Sequence, residues 1–156
     1  GVCGFTDPDN RRTYPWGKED KDLIRFYKEI IGIHKQYPVL VDGSLMALYN
    51  DYNILAYGRF NITEQMVIIL NNRNEQVHVE IPVWLTGMKR SEETEMVEIF
   101  RTDAISFRSM KGVHEVNAGI LEMDLLPLSA VILHREEKAQ LEGVSSYRYD
   151  SRRKEE

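Results

Sequence analysis

The segment near the start of the chain carries most of the side chains that could do chemistry. It reads "TDPDNRRTYPWGKED", residues 6–20, and places Asp7 four residues before Arg11. A turn can bring this carboxylate and guanidinium together as a charge-assisted pair. Such a pair offers acceptors and donors side by side, which suits sugar hydroxyls, and Tyr14 and Trp16 could supply apolar faces for sugar rings. The spacing also allows a buried salt bridge that only shapes the loop, with Asp-Pro setting the turn.

The same segment does not form a calcium loop. Asp7 and Asp9 stand at positions one and three of an EF-hand-like spacing. Arg11 then fills position five, and Lys18 stands where the bidentate glutamate is required. Because two cations replace two ligands, no calcium site is predicted.

The sequence also lacks the residue patterns of a metal site, a cysteine nucleophile and a phosphate-binding loop. The four histidines are far apart in the sequence, and none has metal-ligand spacing to another. A structural or surface role is therefore expected for His34, His78, His114 and His134. Cys3 has no neighbouring base, and no glycine-rich phosphate loop is present. We predict no catalytic residue, no metal site and no cofactor in this chain.

The composition favours a soluble globular domain over a nucleic-acid-binding or membrane protein. With 42% hydrophobic and 29% charged residues, the 156-residue chain fits one soluble globular domain with appendages. A net charge of -5 argues against a nucleic-acid partner. The apolar runs are far shorter than the ~20 residues that cross a bilayer, so no membrane partner is expected. The single cysteine allows no intrachain disulfide, which fits a reducing, cytoplasmic location.

The element that follows the polar segment is a helix, predicted over residues 20–37. Asp20 is suited to the N-cap, and Pro38 ends the helix because it lacks a backbone donor. One apolar stripe runs along the helix and consists of Leu23, Phe26, Tyr27, Ile30, Ile31 and His34. The stripe is wide for a single helix and predicts a partner surface.

After Pro38 the apolar period changes from that of a helix to that of strands. Seven short strands are predicted at the spacing of an all-β sandwich. They cover residues 45–50, 54–60, 65–72, 77–83, 96–101, 120–126 and 130–135. Residues 136–156 differ in composition and are expected to form a charged tail.

Two sets of residues resemble a known family. The stretch "GFTDPDNRRTYPWGKEDKDLIRFYKEIIGIHKQYPVLVDG" resembles the segment that closes the catalytic barrel in the alpha-amylase family, glycoside hydrolase family thirteen. It is most similar to the neopullulanase, cyclomaltodextrinase and maltogenic amylase branch. The stretches "VIILNNRNEQVHVEIPV" and "LEMDLLPLSAVILH" resemble strands of the family's C-terminal β-sandwich. The resemblance runs from Gly1 to Arg135.

The resemblance implies a fold and a division of the chain. Residues 1–38 would be the last loop and helix of a (β/α)8 barrel, and residues 39–135 an antiparallel Greek-key β-sandwich. The family's catalytic carboxylates lie upstream, so this chain would be the C-terminal part of an enzyme and inactive by itself. The whole enzyme would hydrolyse α-glucosidic bonds in maltodextrins, cyclodextrins or pullulan with retention, which uses two carboxylates about 5 Å apart.

The resemblance also assigns residues and partners. The family's Asp-Pro-x-x-Arg loop binds sugar on the donor side of the cleaved bond, which corresponds to Asp7 and Arg11. Arg12, Tyr14 and Trp16 match less closely and are expected to shape the loop. The implied partners are an α-glucan oligosaccharide, the missing catalytic barrel and a second copy in a homodimer.

A different class of function remains open on the sequence. The chain could be a stand-alone carbohydrate-binding or dimerisation sandwich without enzymatic activity. Such a module needs exposed aromatic side chains on one face of a sheet. Tyr49, Tyr52 and Tyr57 are the candidates, although packing of a hairpin explains them equally well.

Overall fold

The computed structural model describes residues 5–7, 11, 13–108 and 112–136. Two helices, α1 Lys21–Gln36 and α2 Val39–Asp42, precede a run of strands. The strands are β1 Ser44–Asn50, β2 Ile54–Phe60, β3 Glu64–Asn71, β4 Val77–Ile81, β5 Thr94–Thr102, β6 Phe107–Arg108, β7 Gly112–Asn117, β8 Ile120–Leu125 and β9 Ser129–Glu136. A short 3-10 helix, Val83–Thr86, links β4 to the segment before β5.

Helix α1 confirms the prediction over residues 20–37 to within one residue at each end. The Asp20 carboxylate caps the helix by accepting the Leu23 backbone N–H at 2.9 Å. Tyr37 is the C-cap residue, directly before Pro38. No helix among the described residues combines the length and the apolar character needed to cross a membrane.

All strands pair antiparallel in one continuous hydrogen-bonded sheet. The order is β1-β2-β3-β9-β5-β7-β8-β4, and β6 pairs with β5. Strands β4, β5, β7 and β8 stand in the order β5-β7-β8-β4, the Greek-key arrangement. Strand β9 lies between β3 and β5 and joins the two halves of the sheet, β1-β2-β3 and β5-β7-β8-β4.

The sheet folds over so that its two halves enclose one core. The core side chains come from both halves and from the segment after β4; they are Leu48, Ile54, Ala56, Val67, Ile69, Val79, Ile81, Val83, Met88, Met96, Val116, Leu121, Met123, Leu125, Val131 and Leu133. The 3-10 helix closes one side of this core through the buried Thr86 side chain. Gly58 permits that contact, because a Cβ at Gly58 would lie 2.5 Å from Thr86 Cγ2. The predicted mainly-β sandwich is therefore confirmed, with continuous hydrogen bonding between its halves.

A second cluster fixes α1 and α2 to the outer face of the sheet. Val39, Met66 and Ile68 are buried there, and Ile33 and Tyr37 pack against them.

Aromatic contacts extend this attachment toward the start of α1. The Phe26 ring centroid lies 6.1 Å from that of Phe100 and 5.5 Å from that of Phe107. The helix thus contacts the sheet at both of its ends.

Two strands were not predicted from the sequence. The segment 112–117 forms β7, in which Val116 is the one fully buried side chain, so the apolar alternation is weak. The two-residue β6 is too short to give a pattern. The predicted charged tail falls almost entirely on residues 137–156, which lie outside the described residues.

Glu98 on β5 is a buried carboxylate, with its side chain 1% exposed. Arg101 donates from Nε to Glu98 Oε1 and from Nη2 to Oε2, both at 2.7 Å. His114 Nε2 contacts the same Oε2 at 2.9 Å. Burial raises the pKa of Glu98, but the hydrogen bonds from Arg101 and His114 outweigh it and lower the pKa to about 2.

We expect Glu98→Gln to lower the free energy of unfolding by about 3 kcal/mol, because Arg101 then keeps no carboxylate partner. Chemical denaturation at neutral pH measures the loss. Glu95→Gln is the matched control, since Glu95 lies exposed on the same strand and should change stability by less than about 0.5 kcal/mol.

The difference between wild type and Glu98→Gln should also depend on pH. The folded pKa, about 2, is below the ordinary value of 4.5, so the contribution is complete above about 4.5. It is lost as the pH falls from there toward 2. A difference that stays constant over this range would contradict the assignment.

Candidate functional site

The structure brings the predicted pair together. Arg11 Nε lies 3.0 Å from Asp7 Oδ1. The Arg11 side chain is 77% exposed and the Asp7 side chain 59% exposed. The alternative of a buried salt bridge is therefore wrong for this pair as the described residues place it.

An ion pair this exposed contributes little to folding, because water screens it. The arrangement nevertheless keeps two complementary groups side by side at the surface. A carboxylate accepts hydrogen bonds, and a guanidinium carries five N–H donors in a fixed plane. The pair can therefore hold a group that both donates and accepts, such as a hydroxyl of a sugar.

Two aromatic side chains follow the pair along the chain. The ring centroids of Tyr14 and Trp16 lie 4.8 Å apart with an interplanar angle of 65°, an edge-to-face contact. Trp16 is 80% exposed and Tyr14 is 49% exposed. Their faces are accessible at the surface of the described chain.

Local turns fix the backbone that carries Trp16. The Trp16 N–H donates to the Tyr14 carbonyl at 2.9 Å, a three-residue turn centred on Pro15. The Lys18 N–H donates to the Pro15 carbonyl at 2.9 Å, which closes a β-turn. Gly17 occupies the third position of this turn with φ +76°, the left-handed region that a type II turn requires.

The turn is connected to α1 by a further carboxylate. The Gly17 N–H donates to Glu19 Oε1 at 2.8 Å, and this backbone hydrogen bond lowers the pKa of Glu19. Asp20 then caps α1, which is packed on the sheet. The sandwich therefore positions the segment from Tyr14 to Asp20 through the helix.

A cleft of about 520 Å³ lies between the start of α1 and the β5–β6 turn. Its polar side chains already have partners within the chain: Asp22 pairs with Arg25 at 3.1 Å, and Asp103 accepts the Ile105 and Ser106 N–H groups. The cleft has no sequence signal, because residues 20–26 and 102–107 are far apart in the chain.

The three tyrosines of the first hairpin do not form a sugar-binding row. Tyr49 packs against the main core and Tyr57 against the cluster under the helices. Burial raises the pKa of Tyr57. Tyr52 alone is open to solvent, 97% exposed on the β1–β2 turn. Packing in the hairpin is thus the correct interpretation for Tyr49 and Tyr57.

Three of the four histidines contact carboxylates on a neighbouring strand, and the fourth lies at the surface. His78 Nδ1 lies 2.9 Å from Asp124 Oδ1, between β4 and β8. His134 Nε2 lies 2.9 Å from Glu64 Oε1, between β9 and β3. His114 joins Glu98 as described, and His34 is exposed on α1. Within the part of the chain that the structure describes, no group of three or more His, Cys, Asp or Glu could hold a metal ion.

Comparison with known families identifies the family of the sandwich domain. The family described as "Alpha amylase, C-terminal all-beta domain" matches residues 48–136, more than half of the chain. The chain belongs to this family. The alpha-amylase C-terminal all-beta domain includes β2 to β9 in full and the last residues of β1.

Individual relatives agree with this membership. The chain is 30% identical over 142 residues to an amylopullulanase of Thermoanaerobacterium thermosulfurigenes, covering 85% of the chain and 7% of that protein. It is 30% identical over 101 residues to a cyclomaltodextrinase of Geobacillus thermopakistaniensis, covering 59% of the chain and 17% of that protein. The chain thus spans less than a fifth of either relative.

Solved structures give the same fold. An alpha-amylase of Geobacillus thermoleovorans, solved with acarbose, superimposes with a TM-score of 0.66 at 23% identity. The match covers 85% of this chain and 27% of that one. The family resemblance seen in the sequence is confirmed, whereas the domain boundaries at 38/39 and 135/136 stay predictions.

We expect Asp7→Ala to change the free energy of unfolding of the 156-residue chain by less than about 1 kcal/mol, because an exposed ion pair is worth little. Urea denaturation measures the change. Asp51→Ala is the comparison, since Asp51 is partly buried and accepts the N–H groups of Asn53 and Ile54 and one from Arg73. Its loss should cost more than the loss of Asp7, because three hydrogen bonds disappear. Equal losses for the two variants would assign Asp7 to loop stability.

Proposed function

We propose that this chain is the C-terminal part of an α-glucan-hydrolysing glycosidase, in which Asp7 and Arg11 hold a glucose unit on the donor side of the cleaved bond. The observation that carries the proposal is the exposed Asp7–Arg11 pair, 3.0 Å apart, on the segment that leads into a helix docked on this family's sandwich. The relatives named amylopullulanase and cyclomaltodextrinase support the substrate class.

The pair suits a sugar for a chemical reason. A hydroxyl can donate its proton to the Asp7 carboxylate while its oxygen accepts from Arg11. Two such bonds fix the position and the rotation of the sugar ring. An interaction of this kind accelerates hydrolysis to the extent that it tightens as the transition state forms.

The chemical step itself needs two carboxylates that flank the glycosidic bond. In this proposal they belong to the barrel of the full-length enzyme, which also surrounds the loop from residue 6 to residue 20. The sandwich contributes by holding α1, and through α1 the loop, against that barrel. The isolated chain therefore supplies only one side of the substrate-binding site and does not cleave the glycosidic bond.

The part of the α1 apolar stripe that does not pack on the sheet supports the presence of a barrel. At 100° per residue, the apolar positions cover an arc of roughly 180°, wider than one contact surface needs. Half of this arc, with Phe26 and Ile33, packs on the sheet. The other half stays open, with Leu23 40%, Tyr27 57% and Ile31 49% exposed.

Leu23, Tyr27 and Ile31 form what we call the open face of α1. In the proposed enzyme the barrel covers this face. In the isolated chain an uncovered apolar surface favours self-association, which would also be the route to a homodimer.

We expect Tyr27→Lys to lower the free energy of unfolding of the full-length enzyme by about 1 to 3 kcal/mol, because it places a charge in the contact between α1 and the barrel. In the isolated chain the same change should cost less than about 0.5 kcal/mol and should reduce self-association. Gln36→Lys, on the exposed polar side of α1, is the control.

Denaturation of both proteins and sedimentation of the isolated chain give these values. If Tyr27→Lys is neutral in the full-length enzyme, the open face does not contact a barrel.

We expect Asp7→Ala in the full-length enzyme to lower kcat/KM on maltooligosaccharides by about 10- to 1,000-fold, since a donor-side contact is lost at the transition state. Steady-state kinetics measure it. Asp22→Ala is the matched control, because Asp22 forms a similarly exposed pair with Arg25 at 3.1 Å outside the loop.

The isolated chain should release no reducing sugar from maltooligosaccharides or pullulan. Release above background would show that the chain has its own catalytic centre. An unchanged kcat/KM for Asp7→Ala would leave the loop with a structural role only.

A further inference from the structure

Among the described residues of the loop, Trp16 has the largest exposed aromatic ring. An indole is among the largest apolar side chains, and burying it stabilises most proteins that contain one. Here 80% of it is exposed. The other tryptophan, Trp84, is 37% exposed and has the Arg90 guanidinium 5.2 Å from its ring centroid.

The exposed indole is also held in place. Two successive turns, closed by the Tyr14 and Pro15 carbonyls, set the backbone on both sides of Trp16. Tyr14 contacts the indole edge to face, which restricts its rotation. A large apolar ring that is fixed and open to solvent is typical of a binding surface.

Trp16 lies within reach of the Asp7–Arg11 pair. Five residues of fully extended chain cover at most about 18 Å, so the indole and the Arg11 guanidinium can face one bound oligosaccharide. The polar pair would recognise hydroxyls at the edge of one ring. An aromatic face is complementary to the C–H groups that a pyranose presents on one side of its ring.

We propose that Trp16, supported by Tyr14, is the stacking platform for a second glucose ring of the same glucan chain. The inference rests on the proposed function, since it uses the substrate assigned there. In this proposal the ring on Trp16 lies further from the cleaved bond than the ring held by Asp7 and Arg11. Trp16 therefore sets a preference for longer α-glucans.

Stacking has a kinetic signature that differs from that of the polar pair. A ring far from the reacting bond interacts equally in the ground state and in the transition state, so its loss raises KM and leaves kcat unchanged. The effect requires a substrate long enough to reach the platform. Loss of a loop contact that positions Asp7 and Arg11 would instead affect substrates of every length.

The test is steady-state kinetics of the full-length enzyme on a series of maltooligosaccharides, from maltotriose to maltoheptaose. Trp16→Ala should raise KM about 10-fold for the longest substrate, leave kcat within about twofold, and have no effect on the shortest. Trp16→Phe should restore most of the affinity, because it keeps an aromatic face. Tyr52→Ala, which removes an aromatic side chain 97% exposed on the β1–β2 turn, should change nothing.

Two results would overturn the proposal. One is a loss of equal size at every substrate length, which would make Trp16 a positioning residue of the loop. The other is no loss at any length while Asp7→Ala lowers kcat/KM, in which case the platform fails and the proposed function stands. If the wild-type enzyme hydrolyses no α-glucan, the proposed function itself fails, and the platform fails with it.

Discussion

The attachment of α1 to the outer face of the sheet is the interaction on which the rest of the structure depends. Val39, Met66 and Ile68 are buried between the helices and the sheet, and Phe26 reaches Phe100 at the other end. The loop before α1 has only short-range hydrogen bonds of its own among the described residues. Its orientation therefore comes from the Asp20 cap, then from α1, and then from the sandwich.

The sandwich and the loop before α1 therefore have different roles. The sandwich holds its ionic side chains between strands: the buried Glu98 joins β5 to β7 through His114, and the partly buried Glu64 joins β3 to β9 through His134. The loop carries the opposite pattern, with an exposed ion pair and exposed aromatic rings. The ionic groups of the sheet are paired and largely shielded from water, whereas the ion pair of the loop is exposed.

Much of the fold was predictable because local signals in the sequence mark the ends of the helix and the strands. Asp20 and Pro38 bound α1, and apolar alternation gave seven strands. Strand β7 was missed because its polar residues leave Val116 as the one fully buried side chain.

The candidate site was predictable only in part. The spacing of Asp7 and Arg11 indicated their contact, but not that the contact is exposed, since exposure depends on the packing of the whole chain. The same limit applies to Tyr49 and Tyr57, which are packed, and to Tyr52, which is open. No local pattern distinguishes these three tyrosines.

The placement of β9 has a consequence for the order in which the domain can form during synthesis. Strands β1 to β3 and strands β4 to β8 are hydrogen-bonded to each other only through Ser129–Glu136, within the described residues. A nascent chain that has not yet released these residues from the ribosome has two separate half-sheets, each with an unpaired central edge. Such edges are templates for aggregation, and pairings this distant in sequence form slowly. The sheet can therefore close only after β9 has left the ribosome. Removing a few residues of β9 would destabilise the sandwich more than removing the longer loop that precedes α1.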